Sequence, residues 1–428
     1  MARSEATIST SSDSVEPGVW AARLGALGPG ILMASAAIGG SHLISSTQAG
    51  ARFGWQLAFV VVLANLLKYP FFRFGPQYTM ESGRSLVEGY AAKGRIYLWV
   101  FFALVSVSSV ISTAGVGLLC AVILGFMLPA SMSGSVATLA TVMMASAWLL
   151  LIAGHYRALD TVTKVIILTL TVATVVATFM AASAGSARAS DFVDPSPWTW
   201  ATLPFLVAIM GWMPAPIEIS ALNSLWIRAK QEIRPSRLKD VLFDFNVGYV
   251  TSAVLALFFL ALGALVQYGS GVEVASEGGA YVDQLLQMYG TAIGEWAVPL
   301  MSVIAFACMY GTVITVIDGY ARACAESLRL LRGDSDFSKR SLNLWLTGIA
   351  ALGLVIIVAM SASLAAMLTF AMISAFITAP VFAWLNFSLV RSQSSLTPTL
   401  RYLSYAGLAY LAGFAGLFVL NLAGVVGG

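Results

Sequence analysis

Apolar residues run in blocks of roughly 20 or more along most of the chain, separated by short polar connections, and a block of that length can cross a bilayer. The blocks fall at 24–52, 55–79, 96–129, 134–154, 158–184, 199–227, 241–268, 296–324, 342–361, 364–390 and 401–424. The pattern predicts an all-α membrane protein of eleven transmembrane helices. Two blocks are interrupted, the first by Gly39, Gly40 and Ser41 and the sixth by Pro214, Ala215 and Pro216. The breaks lie five spans apart, an odd number, so spans 1 and 6 cross in opposite directions. Two five-helix units, 24–184 and 199–390, then form an inverted repeat, with 401–424 as an added helix. Unwound backbone at membrane depth is tolerated only where it lines a protected cavity, so the paired breaks nominate a substrate site.

Composition agrees with this picture. Of the 428 residues 59% are apolar and 10% charged, against about 25% charged in a soluble domain, and the mean hydropathy is +0.85. A cytosolic enzyme is excluded. Of 23 basic residues, all but Arg52, Lys68, Lys164 and Arg188 lie on the N-terminal segment, on the even-numbered connections or at the block ends that adjoin them. The positive-inside rule then places the N-terminus in the cytoplasm and, with eleven spans, Gly428 outside. Residues 1–23 lack the pattern of a cleaved signal and read as a disordered cytoplasmic tail. No organelle targeting peptide is evident, and the compact loops fit a bacterial plasma membrane. The acidic connection 269–295 reads as a solvated loop.

A net charge of +3, with basic residues scattered rather than striped, implies no nucleic acid partner. Cys120, Cys308 and Cys324 lack metal-site spacing and read as small buried hydrophobes. No phosphate-loop motif supports use of ATP, and neither a serine elbow nor an HExxH pattern supports an intramembrane enzyme. The sequence calls for no cofactor. Trp99 and Trp200 read as interfacial anchors, and Asp244, Asn246, Lys68 and Lys164 as structural pairs or snorkelling ends.

The stretch GPGILMASAAIGGSHLISSTQAGARFGWQL, residues 28–57, resembles the first helix of the Nramp family of divalent metal transporters, particularly in GPG at 28–30 and QAGA at 48–51. YRALD at 156–160 is similar to the family's approach to helix 5, and TVITVIDGYA at 312–321 to its helix 8. Met213 and Pro214 match the start of its methionine, proline, histidine motif. The resemblance covers most of the chain and implies a LeuT/APC-type five-plus-five repeat and alternating-access transport. The departures fall on the chemistry. Where the family reads Asp, Pro, Gly, Asn, this chain has Gly39, Gly40, Ser41 and His42, so the metal-binding carboxylate is missing. Met213 keeps the thioether position, but Ala215 replaces the histidine. Spans 3 and 9 carry no charged residue, although proton-coupled members have them there, so the usual proton coupling is not expected.

Two substrates fit the altered site. A bare divalent ion would use His42 and Met213 as ligands, with Glu218 returning one carboxylate; hard ions such as Mg2+ and Mn2+ want more oxygen than this. Alternatively, the cargo is itself anionic. The start of the second half of span 1 exposes N–H groups beside Gly40, Ser41 and His42, which favour anions. A small carboxylate, citrate-like and carrying a divalent metal such as Mg2+ as part of the substrate, would bring the missing oxygens and meet His42, Ser45 and Ser46. This second reading is preferred. Glu218 and Asp318 are the candidates for ion coupling. A channel remains a rival class, separated by flux that fails to saturate.

Overall fold

The computed structural model describes residues 28–129, 134–154, 156–275 and 278–427, with the side chains at 156–164 and 278 left aside. The N-terminal 1–23 segment and the Lys164 side chain lie outside the described residues. Every regular element among those residues is helical. Among the described residues, eight helical stretches are long and apolar enough to span a membrane; Val136–Ile152 and Trp200–Trp212 are shorter apolar helices.

The first span begins with α1, Pro29–Ala37. Proline suits a first helical position because its missing N–H would have no partner there. Asp244 caps this end, its carboxylate accepting from Gly28 N at 3.1 Å and Gly30 N at 2.7 Å. After the break come a π-helical turn, Ser41–Ser46, α2 (Thr47–Phe53) and a 3-10 turn, Gly54–Leu57. They run directly into α3, Ala58–Ser82, so the helical run Ser41–Ser82 joins the second half of block 1 to block 2.

A short α4, Leu86–Lys93, lies in the next connection. A reciprocal cap starts it: Ser85 Oγ accepts from Glu88 N, and the Glu88 carboxylate accepts from Ser85 N. The remaining elements are α5 (Arg95–Met127), α6 (Val136–Ile152), α7 (Tyr156–Ala184), α8 (Leu203–Trp212), α9 (Ile219–Ile233), α10 (Leu238–Val266), α11 (Gly278–Ile293), α12 (Ala297–Arg332), α13 (Lys339–Ala359), α14 (Leu364–Val390) and α15 (Pro398–Leu422). The connection expected to be a solvated loop therefore contains α11, with Tyr281, Leu285 and Tyr289 buried along one face.

The centre of the bundle is formed by α12 packed on α5, α10 on α1 and α2, and α14 on α8. Small residues permit the closest crossings. A Cβ on Gly30 would stand 2.3 Å from the Asp244 carbonyl oxygen, and one on Gly248 2.2 Å from that of Gly30, the close approach typical of membrane helix pairs. Asn386 ties four helices: it accepts from Tyr90 and donates to Phe71 O at 2.9 Å and Ser220 Oγ at 2.6 Å.

Candidate functional site between two interrupted spans

Both interruptions persist in three dimensions. Helix α1 ends at Ala37, and the wide turn that follows is closed by side-chain hydroxyls: Ser46 Oγ donates to Ser41 O at 3.1 Å and Thr47 Oγ1 to His42 O at 3.3 Å. Such π turns disturb the regular ladder and cluster at functional sites. Three of the carbonyls at the end of α1 are engaged by side chains. Ser35 O and Ile38 O accept from Thr312 Oγ1 at 3.0 and 3.4 Å, Ile38 O from Cys308 Sγ at 3.3 Å, and Ala37 O from Ser41 Oγ at 2.9 Å.

The sixth block leaves regular helix between Trp212 and Ile219. Continuing α8 would require N–H groups at positions 214 and 216 for the carbonyls of Met210 and Trp212, and proline supplies neither. Lys68 fills part of that deficit. The ammonium of this fully buried side chain, carried on α3, donates to Met210 O at 3.1 Å, Gly211 O at 3.0 Å and Ala215 O at 2.8 Å.

A cavity of ≈20 Å3 lies between the breaks, enough for about one water. Gly39, Gly40, Ser41, Ala215 and Pro216 form part of its wall; Ser112 of α5, Trp212, and Thr312 and Tyr320 of α12 form another part. Thus Gly39, Gly40, Ser41 and Ala215, nominated by sequence, come together. His42, Ser45, Ser46, Met213 and Glu218 do not reach the wall. The His42 ring turns to α10: Nε2 donates to Ser252 O at 2.8 Å, and Nδ1 lies 2.8 Å from Ser41 Oγ. Ser45 Oγ donates to Met372 Sδ at 2.9 Å, and Ser46 is spent inside the turn. Met213 is buried away from the cavity.

Glu218 is one hydroxyl removed from the wall. Tyr320 donates to its Oε1 at 3.1 Å and also reaches Ser112 Oγ at 3.3 Å. Glu218 Oε2 and Trp212 Nε1 are buried without a hydrogen-bond partner among the described residues. Asp318 lies elsewhere, its carboxylate held by Arg322 Nε at 2.8 and 2.9 Å and by Trp226 Nε1 at 3.4 Å. Among the described residues, no three of His, Cys, Asp and Glu gather into a group that could hold a metal ion.

Sequence reasoning missed Ser112, Trp212, Thr312 and Tyr320, and read Lys68 only as a structural pair or a snorkelling end. Thr312 and Tyr320 lie eight positions apart in one apolar block, a spacing that puts them on one helix face. For Lys68 the signal was an ammonium deep within an apolar stretch, which is costly and seldom idle.

Two interrupted spans set against each other around one small central cavity, inside a bundle of apolar helices, define a membrane transporter of the broken-helix type. The chain belongs to the Nramp family: the model described as natural resistance-associated macrophage protein-like matches residues 30–427. It is 50% identical over 417 residues to the uncharacterized protein PM0681 of Pasteurella multocida (strain Pm70), covering 96% of each chain. Its fold is similar to that of a point mutant of the Eremococcus coleocola manganese transporter (TM-score 0.68, 12% identity, 96% of this chain and 90% of that one). The same transporter in complex with an aromatic bis-isothiourea compound gives a TM-score of 0.67 at 13% identity, covering 99% and 92%. MHP1, a nucleobase-cation-symport-1 family transporter, gives 0.61 at 13%, covering 93% and 90%. At these identities the likeness concerns the fold.

Proposed function

We propose that the protein is a secondary transporter that carries a small organic carboxylate, citrate-like, together with a divalent metal ion such as Mg2+. Transport proceeds by alternating access and without the usual proton coupling. The observation that carries this reading is the state of the two broken helix ends. Lys68 fills the carbonyl end of α8, and Thr312, Cys308 and Ser41 engage that of α1. A bare divalent ion would meet hydroxyls, with the Lys68 side chain bonded behind the wall to Ala215 O and no carboxylate among the lining residues. An anion would meet the Ser112 hydroxyl and the indole of Trp212, whose N–H has no hydrogen-bond partner among the described residues. A cargo of citrate's size enters only when the halves of spans 1 and 6 separate, as alternating access requires.

In this reading the eleven spans form two inverted five-helix units, 24–184 and 199–390, with 401–424 added. The N-terminus is cytoplasmic, the C-terminus external, and the membrane is a bacterial plasma membrane. Glu218, through Tyr320, is the better placed of the two coupling candidates.

Family membership favours a second reading, transport of a bare divalent ion such as Mn2+. It requires His42 and Met213 to rotate into the gap. Binding to purified protein of Mn2+, Mg2+ and citrate, each alone and in mixtures, separates the two. The proposal expects a response only to citrate or to the mixture; saturable binding of metal alone would overturn it.

A further inference from the structure

The Lys68 ammonium is coordinated like an ion. An alkylammonium has three N–H donors, and here three backbone carbonyls accept them at 2.8, 3.0 and 3.1 Å. The side chain is fully buried, so it does not snorkel to an interface. The helix that carries it is tied to α10 on both sides of Lys68. One residue on, Tyr69 OH donates to Asn246 Oδ1 at 2.8 Å; three residues back, Asn65 O accepts from Tyr249 OH at 2.6 Å. Carbonyl groups at the C-terminal end of a helix attract cations by the helix dipole and by their own lone pairs, and rings of such oxygens replace an ion's hydration shell in membrane proteins.

We propose that the unwound carbonyl end of α8 is a monovalent-cation site, and that Lys68 occupies it with a covalently tethered cation in place of a soluble one. Two of its oxygens come from the last turn of α8 and the third from Ala215, beyond Pro214. The cation therefore spans the break and fixes the shape of the segment whose Ala215 and Pro216 line the cavity. Filling the site from within the chain makes the shape of the break independent of ambient Na+ or K+. Shortening the side chain should open the site to a soluble cation close to the lysine ammonium in size, NH4+ or K+, in preference to Na+. This inference does not depend on which cargo the protein carries.

The test uses the full chain in detergent and needs no cargo. Wild type, Lys68→Ala and Lys68→Gln are each melted in chlorides of N-methyl-D-glucamine, Na+, K+ and NH4+ at equal ionic strength. Wild type should melt at one temperature in all four. Lys68→Ala should melt at least about 3 °C lower than wild type in N-methyl-D-glucamine and recover half or more of that deficit in K+ or NH4+. If Lys68→Ala cannot be extracted in any of the salts, Lys68→Gln decides: it keeps two N–H donors without the charge and should melt higher in NH4+ than in N-methyl-D-glucamine. Variants indifferent to the identity of the cation, or a wild type as responsive as the variants, would overturn the proposal. Because binding of Mn2+, Mg2+ and citrate is scored separately, loss of the cargo reading leaves this result standing.

Discussion

Gly211 meets two demands at one position. Its carbonyl accepts from Lys68, and its α-carbon lies against α14 so closely that a Cβ would stand 2.0 Å from the Met372 carbonyl oxygen. Backbone, unlike a flexible side-chain end, cannot yield cheaply, so Gly211→Ala should cost about 1–3 kcal/mol, seen as a lower Tm. Gly348→Ala, inside α13 where nothing lies within 4 Å, is the control and should be neutral or stabilising by up to about 1 kcal/mol. His42 offers a contrasting test. Both ring nitrogens face Ser41 and α10, so His42→Ala should lower Tm while changing cargo affinity less than threefold; loss of binding with an unchanged Tm would place the ring in the site. At this scale the sequence was half legible. Glycine and proline declare themselves because their backbone effects are local. The direction of the His42 ring depends on where α10 lies, and nothing local encodes that.

The interruptions themselves make a prediction for elements. Backbone amides around Gly39–Leu43 and Ala215–Ser220 lack the continuous ladders of α5 and α12 and should exchange hydrogen faster than those helices, by at least about tenfold, in peptide-resolved mass spectrometry. Equal protection across both breaks would mean that the spans close into continuous helices in solution. The positions of the breaks could be read directly, since Gly39 with Gly40 and Pro214 with Pro216 oppose helix in any context. Helices α4 and α11 were harder. The α4 cap is a local signal, Ser85 with Glu88 three residues on, overshadowed by the apolar blocks on either side. Around α11 the acidic residues Asp283, within the helix, and Glu295, just beyond its end, suggested solvent, whereas Tyr281, Leu285 and Tyr289 carried the apolar period that decides packing.

Across the whole molecule, α4, α9 and α12 enclose a vestibule of ≈510 Å3 bordered by Glu88, Arg228, Arg322, Glu326 and Arg329. Arg228 Nη1 bridges to both oxygens of Glu88, at 2.7 and 2.9 Å, and so links α9 to α4 across it. A partly exposed pair of this kind contributes about 0.2–1 kcal/mol. Cys324 of α12 is buried, with its sulfur 3.7 Å from Ser106 Oγ of α5. If the bridge holds this face closed, Arg228→Gln should speed maleimide labelling of Cys324 up to about fivefold, with Cys120 and Cys308 as internal controls; equal rates would assign the bridge no part in closure. The family and its all-helical membrane scaffold were legible over most of the chain because hydrophobic blocks and the two breaks are local signals, whereas pairings between distant helices, such as Glu88 with Arg228, leave no mark in any one of them. The companionship of the first span with α10 has one more consequence. Gly30 and Gly248 lock α1 to the first part of α10, Gly50 and Gly263 lock α2 to its last part, and His42 clasps Ser252 between them. A single unbroken rod thus splints both pieces of a fractured one, so neither piece can swing alone: any tilt of α1 must drag α10 with it or bend that rod near Ser252.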